Sequence, residues 1–301
     1  MGVLLDKVWA LSMALVNSTP IVLKGKAKGP PSRTPEEVLE HYRIECELAD
    51  RLRRAGREER LLLYPSLNDE LFRRVPTHPL LTLKASPQDR ARGVSKEMRL
   101  LRPLLSPGCV FLEVGPGDCA LSIAVSAVAG RVYAVDVSQE ITRAEAFPEN
   151  LRLIISDGCS VPVPPGTVDV AYSNQLMEHL HPDDAREQLR NIHASLKPGG
   201  CYLCITPNRL SGPHDVSVYF DDVARGFHLK EYTNSELAAL FRECGFSRVR
   251  VVLNAKLVRP RLPPAVFRAA EGILARLPRG VLPRSRPVLR YLLGAKVIGW
   301  K

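Results

Sequence analysis

Nowhere in this sequence do eighteen apolar residues run together, so no membrane-spanning helix is expected. The apolar start, Met1 to Leu23, lacks the basic leading segment and small-residue cleavage site of a secretory leader. It carries Asp6 and Lys7 instead and reads as a helical arm. Asp6 also occupies the place where an N-myristoylation signal needs Ser or Thr. The seven cysteines are an odd number, scattered through a chain too long to need disulfide staples, which points to reduced thiols and a cytoplasmic setting. Cys201 and Cys204 form a C-x-x-C, but no second such pair and no His pair completes a zinc site. Residues three apart on a strand point to opposite faces, so both read as core cysteines. No internal repeat is visible.

What is present is ordinary for a globular protein: 301 residues, 45% apolar and 25% charged. That is enough for one α/β domain of about 150–200 residues with extensions. The net charge of +10 is unevenly placed, because Ala255 to Lys301 hold eleven Lys/Arg against the single acid Glu271. The remainder is neutral. Four zones follow: an apolar and then basic arm over 1–32, a helical cap region over 33–103, a strand–helix core over 104–254, and a basic Pro/Arg-rich segment over 255–301. In the second zone Thr34-Pro35-Glu36-Glu37 supplies an N-cap, a proline at the first helical position and early acids. A further helix is expected over Asn68–Arg74, ended by Pro76 and Pro79.

In the core, short apolar runs at Val110–Val114, Arg131–Val137, Leu151–Ile155, Val168–Ser173, Cys201–Ile205 and Val249–Leu253 suit strands buried on both faces. Helical segments alternate with them at Ala120–Val128, Asp183–Leu196 and Ser235–Cys244, the last preceded by the capping box Thr233-Asn-Ser-Glu236. This pattern predicts an α/β fold, a parallel sheet with helices on both faces.

Such sheets bind ligands at the carboxyl ends of their strands. The first strand runs into Glu113-Val-Gly115-Pro116-Gly117-Asp118-Cys119-Ala120, where glycines let a ligand approach the backbone. Asp136 ends the second strand, where a carboxylate can accept both hydroxyls of a ribose. On these residues alone a nicotinamide or flavin site fits equally well. Asp157-Gly158 after the third strand, the fourth strand ending at Asn174, and the helix-ending turn Leu196-Lys-Pro-Gly-Gly200 complete an ordered set. Together they resemble class I S-adenosylmethionine (SAM)-dependent methyltransferases, especially the small-molecule group related to ubiquinone-type methyltransferases. The resemblance covers about Leu104–Leu253.

It implies a Rossmann-like seven-stranded sheet with one antiparallel strand, for which Ala295–Trp300 is the candidate. It also implies a cofactor site in which Glu113 orders the loop, Gly115, Pro116 and Gly117 make room for the methionine portion, and Asp136 with Val137 holds the ribose. Asp157 and Gly158 would meet the adenine edge, and Asn174 and Gln175 would lie beneath the sulfonium. Cys119 departs from the family, which often has a third glycine there.

Methyl transfer is an in-line displacement that needs alignment, exclusion of water and, for a hydroxyl acceptor, removal of a proton. The candidate bases are His179, expected to share a helical face with Gln175, and His228 in the stretch His228–Thr233. Ubiquinone O-methyltransferases carry a metal-binding Glu-x-x-Glu-His here; Gln175 replaces the first Glu, and no metal is expected. The acceptor is expected to be a small molecule, a glycan or a lipid-linked compound, methylated on oxygen. Apolar residues interleaved with arginine over 255–293 suit peripheral membrane contact or a lid. Two rivals stay open: an RNA methyltransferase using the basic tail, disfavoured because regularly interleaved aromatics are missing, and a non-catalytic SAM-fold protein.

Overall fold

The computed structural model describes residues 33–82, 86–138, 147–253, 261–276 and 294–301. The arm over 1–32 and most of the basic segment over 255–293 lie outside the described residues.

Four helices come first: α1 (Pro35–Arg54), α2 (Arg57–Arg74), the single turn α3 (Pro79–Thr82) and α4 (Pro87–Leu101). The Thr34 box forms in full, with the Thr34 N–H donating to Glu37 and the Glu37 N–H donating to the Thr34 hydroxyl. Helix α2 starts eleven residues earlier than expected and carries Pro65 in its interior. Its register is held by tertiary packing: Leu67 and Leu71 bury against Ile44, Leu48 and Leu52 of α1. Tertiary contact outweighs an interior proline here.

The core alternates β1 (Val110–Val114), α5 (Ala120–Ser126), β2 (Arg131–Asp136), β3 (Leu151–Ile155), β4 (Val168–Asn174), α6 (Pro182–Ser195), β5 (Leu196–Thr206), α7 (Asn234–Glu243) and β6 (Arg248–Val252). The pair β7 (Arg261–Leu262) and α8 (Pro264–Arg276) follows, then β8 (Ala295–Trp300). The strands join in the order β3-β2-β1-β4-β5-β8-β6-β7. Strands β1 to β5 pair in parallel, and β8 enters antiparallel between β5 and β6 as expected. The sheet has one strand more than expected, because Arg261–Leu262 adds a two-residue antiparallel edge.

Side chains on one sheet face pack with α6 and α7, through Ala185, Leu189, Ile192, Leu237 and Phe241. The other face packs with α4 and α5, through Leu101, Leu121 and Val125. Cys201 lies in the second cluster and Cys204 in the first, so the C-x-x-C is split across the sheet and both are free core thiols. The turn expected to precede β5 belongs to the strand itself: α6 stops at Ser195, β5 starts at Leu196, and the register shifts between Val168 and Val170 to accommodate it. Glu271, the one acid of the basic segment, docks α8 by accepting the Asn234 and Ser235 N–H groups at the start of α7.

Candidate active site

Where β1 ends, the chain turns through Gly115 (φ +71) and Gly117 (φ +54), both in the left-handed region that glycine enters freely. A Cβ on Gly115 would press on Leu176 at 3.2 Å, whereas one on Gly117 would meet nothing within 4 Å. Pro116 lies between them. Cys119 follows with φ +57 and no exposed surface, a conformation that costs a non-glycine residue about 1 kcal/mol or more. This is the position where the resembled family prefers glycine, and the backbone gives the reason. Burial pushes the Cys119 thiol up to about 12, so it is not a nucleophile.

Glu113 is buried behind this loop and accepts the Ser122 hydroxyl at 2.5 Å, tying β1 to α5. Burial pushes its carboxyl up to about 8, and the Ser122 hydrogen bond offsets only part of that. Asp136 accepts the Val137 and Ser138 N–H groups on Oδ1, at 2.7 and 3.1 Å, and the Gly117 N–H on Oδ2 at 3.3 Å. Burial raises its pKa against those three donors. Asp157 turns back on its own loop, accepting the Cys159 and Ser160 N–H groups and the Ser160 hydroxyl. Gly158 (φ +92) is required for a second reason: a Cβ there would meet the Tyr64 ring at 3.2 Å.

After β4, Asn174 donates to Glu97 of α4 at 2.5 Å, and Gln175 is exposed with φ +57. Only Met177–His179 form a helical turn, a single 3-10 one, so Gln175 and His179 do not share a helix face as expected. A left-handed residue at 175 breaks the spacing rule that the expectation used.

A cavity of about 290 Å³ opens at the carboxyl ends of β1 and β2. Its floor is Val114, Gly115, Gly117, Val135, Asp136 and Val137, and one side is Ser156, Gly158, Ser160 and Gln188. Leu176, His179, Leu180 and Phe227 form another wall, and Leu52, Tyr64, Leu67, Asn68, Phe72 and Leu80 roof it. Of the sequence-derived residues, Gly115, Gly117, Asp136, Val137, Gly158 and His179 therefore share one space. Glu113, Pro116, Asp157, Asn174, Gln175 and His228 are not among the lining residues. Tyr64 and Gln188 belong to none of the sequence motifs, and Phe227 directly precedes the His228–Thr233 stretch. Tyr64 is held by Asp184 at 2.7 Å and itself accepts the His181 N–H at 2.9 Å. The available signal was the i, i+4 pair Arg60–Tyr64 on one helix face.

His179 Nδ1 lies 3.1 Å from the Phe227 carbonyl oxygen. A carbonyl only accepts, so Nδ1 carries the proton and Nε2 keeps a lone pair. Burial lowers the His179 pKa, which keeps the ring neutral. His228 packs edge-on against it at 5.0 Å and donates from Nδ1 to Glu231 at 2.8 Å. Burial works to lower the His228 pKa, but Glu231, Glu178 and Asp215 outweigh it and raise the value. Glu231, which also accepts from His214, is held down at about 2. Glu178 is fully buried and accepts the Thr206 hydroxyl at 2.8 Å on Oε2.

Residues 112–204 match the methyltransferase domain family. A probable S-adenosylmethionine-dependent methyltransferase of Mycolicibacterium smegmatis is 32% identical over 137 residues, 45% of this chain and 51% of that one. One of Mycobacterium tuberculosis is 29% identical over 162 residues, 52% of this chain and 56% of its own length. The core is a class I SAM-dependent methyltransferase domain. The chain spans about half the length of the curated relatives it matches. Among solved structures, a SAM-dependent methyltransferase of Archaeoglobus fulgidus aligns with 70% of this chain and 94% of its own, at TM-score 0.48 and 16% identity. The putative methyltransferase solved with the Haloferax volcanii Trm112 activator aligns with 70% and 95%, at TM-score 0.48 and 19% identity.

The residues of this methyltransferase domain suit the SAM donor. The space beside Gly117 is open, and Asp136 presents a half-buried carboxylate whose Oδ2 is held only by a long hydrogen bond. Val114, Val135 and Val137 supply apolar surface beside it. A polyhydroxylated ligand with a flat ring matches that combination of one strong acceptor and apolar walls.

Proposed function

We propose that this chain methylates an oxygen of an apolar small-molecule or lipid-linked acceptor, with His179 as the base. The observation that carries the reading is His179, a neutral imidazole lining the cavity with Nε2 unengaged by its own hydrogen bond. Bound SAM supplies an electrophilic methyl carbon on its sulfonium. Asp136 would hold the ribose hydroxyls, Gly115 and Gly117 would admit the amino-acid portion, and Val137 and Gly158 would flank the base. Leu67, Phe72 and Leu80 would exclude water from the acceptor. His179 Nε2 would take the acceptor's hydroxyl proton, with its Nδ1–H bond to the Phe227 carbonyl steadying the imidazolium, while the bond electrons of the lost methyl group would return to the donor's sulfur, which would leave as a neutral thioether.

The apolar roof supports an apolar acceptor, and Leu80, 74% exposed, extends that roof to the surface. Peripheral membrane contact draws support from Val266 and Ile273, seven apart on α8 and 57% and 63% exposed.

Calorimetric titration with SAM tests the donor site: wild-type protein is expected to bind and Asp136→Ala to lose binding. Methyl transfer to a panel of lipophilic alcohols and phenols tests the acceptor. His179→Gln is expected to lower kcat about 10²–10⁴-fold while SAM affinity holds. Unchanged SAM binding in Asp136→Ala would remove the donor assignment, and label appearing on RNA rather than alcohols would remove the acceptor assignment.

A further inference from the structure

We infer that the outward face of α8 is a docking surface for an anionic lipid bilayer. A helix on the outside of a domain ordinarily turns an apolar stripe inward and a polar face to water. The inward side of α8 conforms: it packs on α7 and β6, with Pro264 and Phe267 buried. The outward side does not. Val266, Ala269, Ala270 and Ile273 are all exposed there, Val266 at 57% and Ile273 at 63%. Their spacing of three, four and seven residues places them on a second apolar stripe, away from the core.

The charges of α8 are sorted to match. Arg268 and Arg276 are exposed, whereas the one acid, Glu271, is buried and accepts the Asn234 and Ser235 N–H groups on its two carboxylate oxygens. The outward face therefore carries positive charge only. Arg261, three residues before α8 begins, extends it. Together with Arg248 it flanks Trp300, the two guanidinium carbons lying 5.8 and 4.0 Å from the ring centre. Both arginines are exposed and the tryptophan is partly exposed. A tryptophan flanked by arginines suits the headgroup layer of a membrane, where amphipathic rings and long cationic side chains are both favoured. The sequence from Ala255 to Lys301 has the same bias, with eleven Lys/Arg against Glu271 alone.

An apolar stripe bordered by cations and free of exposed acid complements a surface that is negative outside and hydrocarbon beneath. Single-stranded RNA would need stacking aromatics along the patch, where this face holds valine, alanine and isoleucine. A second copy of the chain, paired about a two-fold axis, would bring like arginines together. With thirteen residues α8 is roughly 20 Å long, and no described helix is long and apolar enough to cross a membrane. Docked, it would lie along the interface with Val266 and Ile273 dipping below the headgroups. This deepens the methyl-transfer reading and rests on it in one respect, that a bilayer is where a lipid-linked acceptor is met.

Sedimentation of the full chain with vesicles tests the surface, using phosphatidylcholine alone and phosphatidylcholine with phosphatidylglycerol in equal parts. Binding is expected on the anionic vesicles only. Raising the salt from about 0.1 M to about 1 M shortens the screening length from about 10 Å to about 3 Å and should weaken binding at least about tenfold. The double variant Val266→Ser, Ile273→Ser should weaken it at least about tenfold as well, since two inserted side chains are lost. Both residues are exposed, so SAM affinity and melting temperature should hold in that variant. Leu62→Ser, at an apolar residue 77% exposed on α2, should change nothing. The surface is overturned by no binding, by equal binding to neutral vesicles, by full binding in the double variant, or by loss in Leu62→Ser. Retention of RNA in place of vesicles, or a dimer that the double variant dissolves, overturns it too. Vesicle binding with no methyl transfer to any acceptor leaves the surface standing and removes the methyl-transfer reading; transfer to soluble phenols with no vesicle binding does the reverse.

Discussion

Arg60 and Asp184 meet two for two, with Nε on Oδ2 and Nη2 on Oδ1, each at 2.6 Å and both residues buried. The same guanidinium donates to the Ala55 carbonyl, and Tyr64 adds a bond to Oδ2. This pair pins the helical roof to the start of α6. Arg60→Ala is expected to cost about 3–5 kcal/mol, because it strands a buried carboxylate. Tyr64→Phe should cost only about 1 kcal/mol. Urea denaturation measures both, and a loss below about 1 kcal/mol for Arg60→Ala would show that the roof is held by its apolar contacts alone.

Gly117 gives a direct test of where the donor sits. Its φ of +54 means that Gly117→Ala costs about 1 kcal/mol in the ligand-free protein, but the added methyl meets no protein atom within 4 Å. SAM affinity is expected to fall at least about tenfold, which corresponds to about 1.4 kcal/mol of lost contact. Thermal melts and calorimetry separate the two effects. Undiminished affinity would mean that the donor does not use this space.

Much of this could be read from residue order. Alternating apolar runs and caps define β1 to β6 and α5 to α7 because propensity, periodicity and tertiary packing agree there. The Gly115–Gly117 loop and Asp136 are equally legible, since backbone conformation restricts which residues stand at those positions. The roof was not legible in the same way. Its principal holds, Arg60 to Asp184 and Arg57 to Glu187, join residues 124 and 130 positions apart, and no local pattern reports such pairs. Asn174 illustrates the reverse problem: its place at a strand end suggests a ligand contact, while its side chain is engaged by Glu97.

Glu113 should make stability fall as pH rises. Its folded-state pKa is about 8, above the ordinary carboxyl value of 4.5. The folded protein thus holds this proton more tightly than the unfolded chain does. That contribution is fully present below about pH 4.5 and is lost as pH rises through about 8. The slope approaches at most about 1.4 kcal/mol per pH unit between those limits. Glu113→Gln is expected to flatten the dependence, so its advantage over wild type should be larger at pH 8 than at pH 6. Parallel denaturation curves at the two pH values check this, and an identical slope in both proteins would contradict it.

At Cys119 two effects oppose each other. Glycine relieves a left-handed backbone worth about 1 kcal/mol and loses a buried thiol of about the same worth. Cys119→Gly should therefore lie within about 1 kcal/mol of wild type and keep SAM binding. Cys119→Val, β-branched in the same conformation, should lose more than about 2 kcal/mol. Thermal denaturation of both variants provides the comparison; equal stability for valine would mean that the loop relaxes.

The placement of β8 between β5 and β6 has a consequence for synthesis. A nascent chain that has not yet reached Ala295 can assemble β1 to β5 as a parallel half-sheet, but it leaves one edge of β5 and one of β6 unpaired. Both are apolar edges of the kind that recruit foreign strands. Translation stalled between Val252 and Ala295 would thus leave a template for aggregation in the middle of an otherwise finished domain.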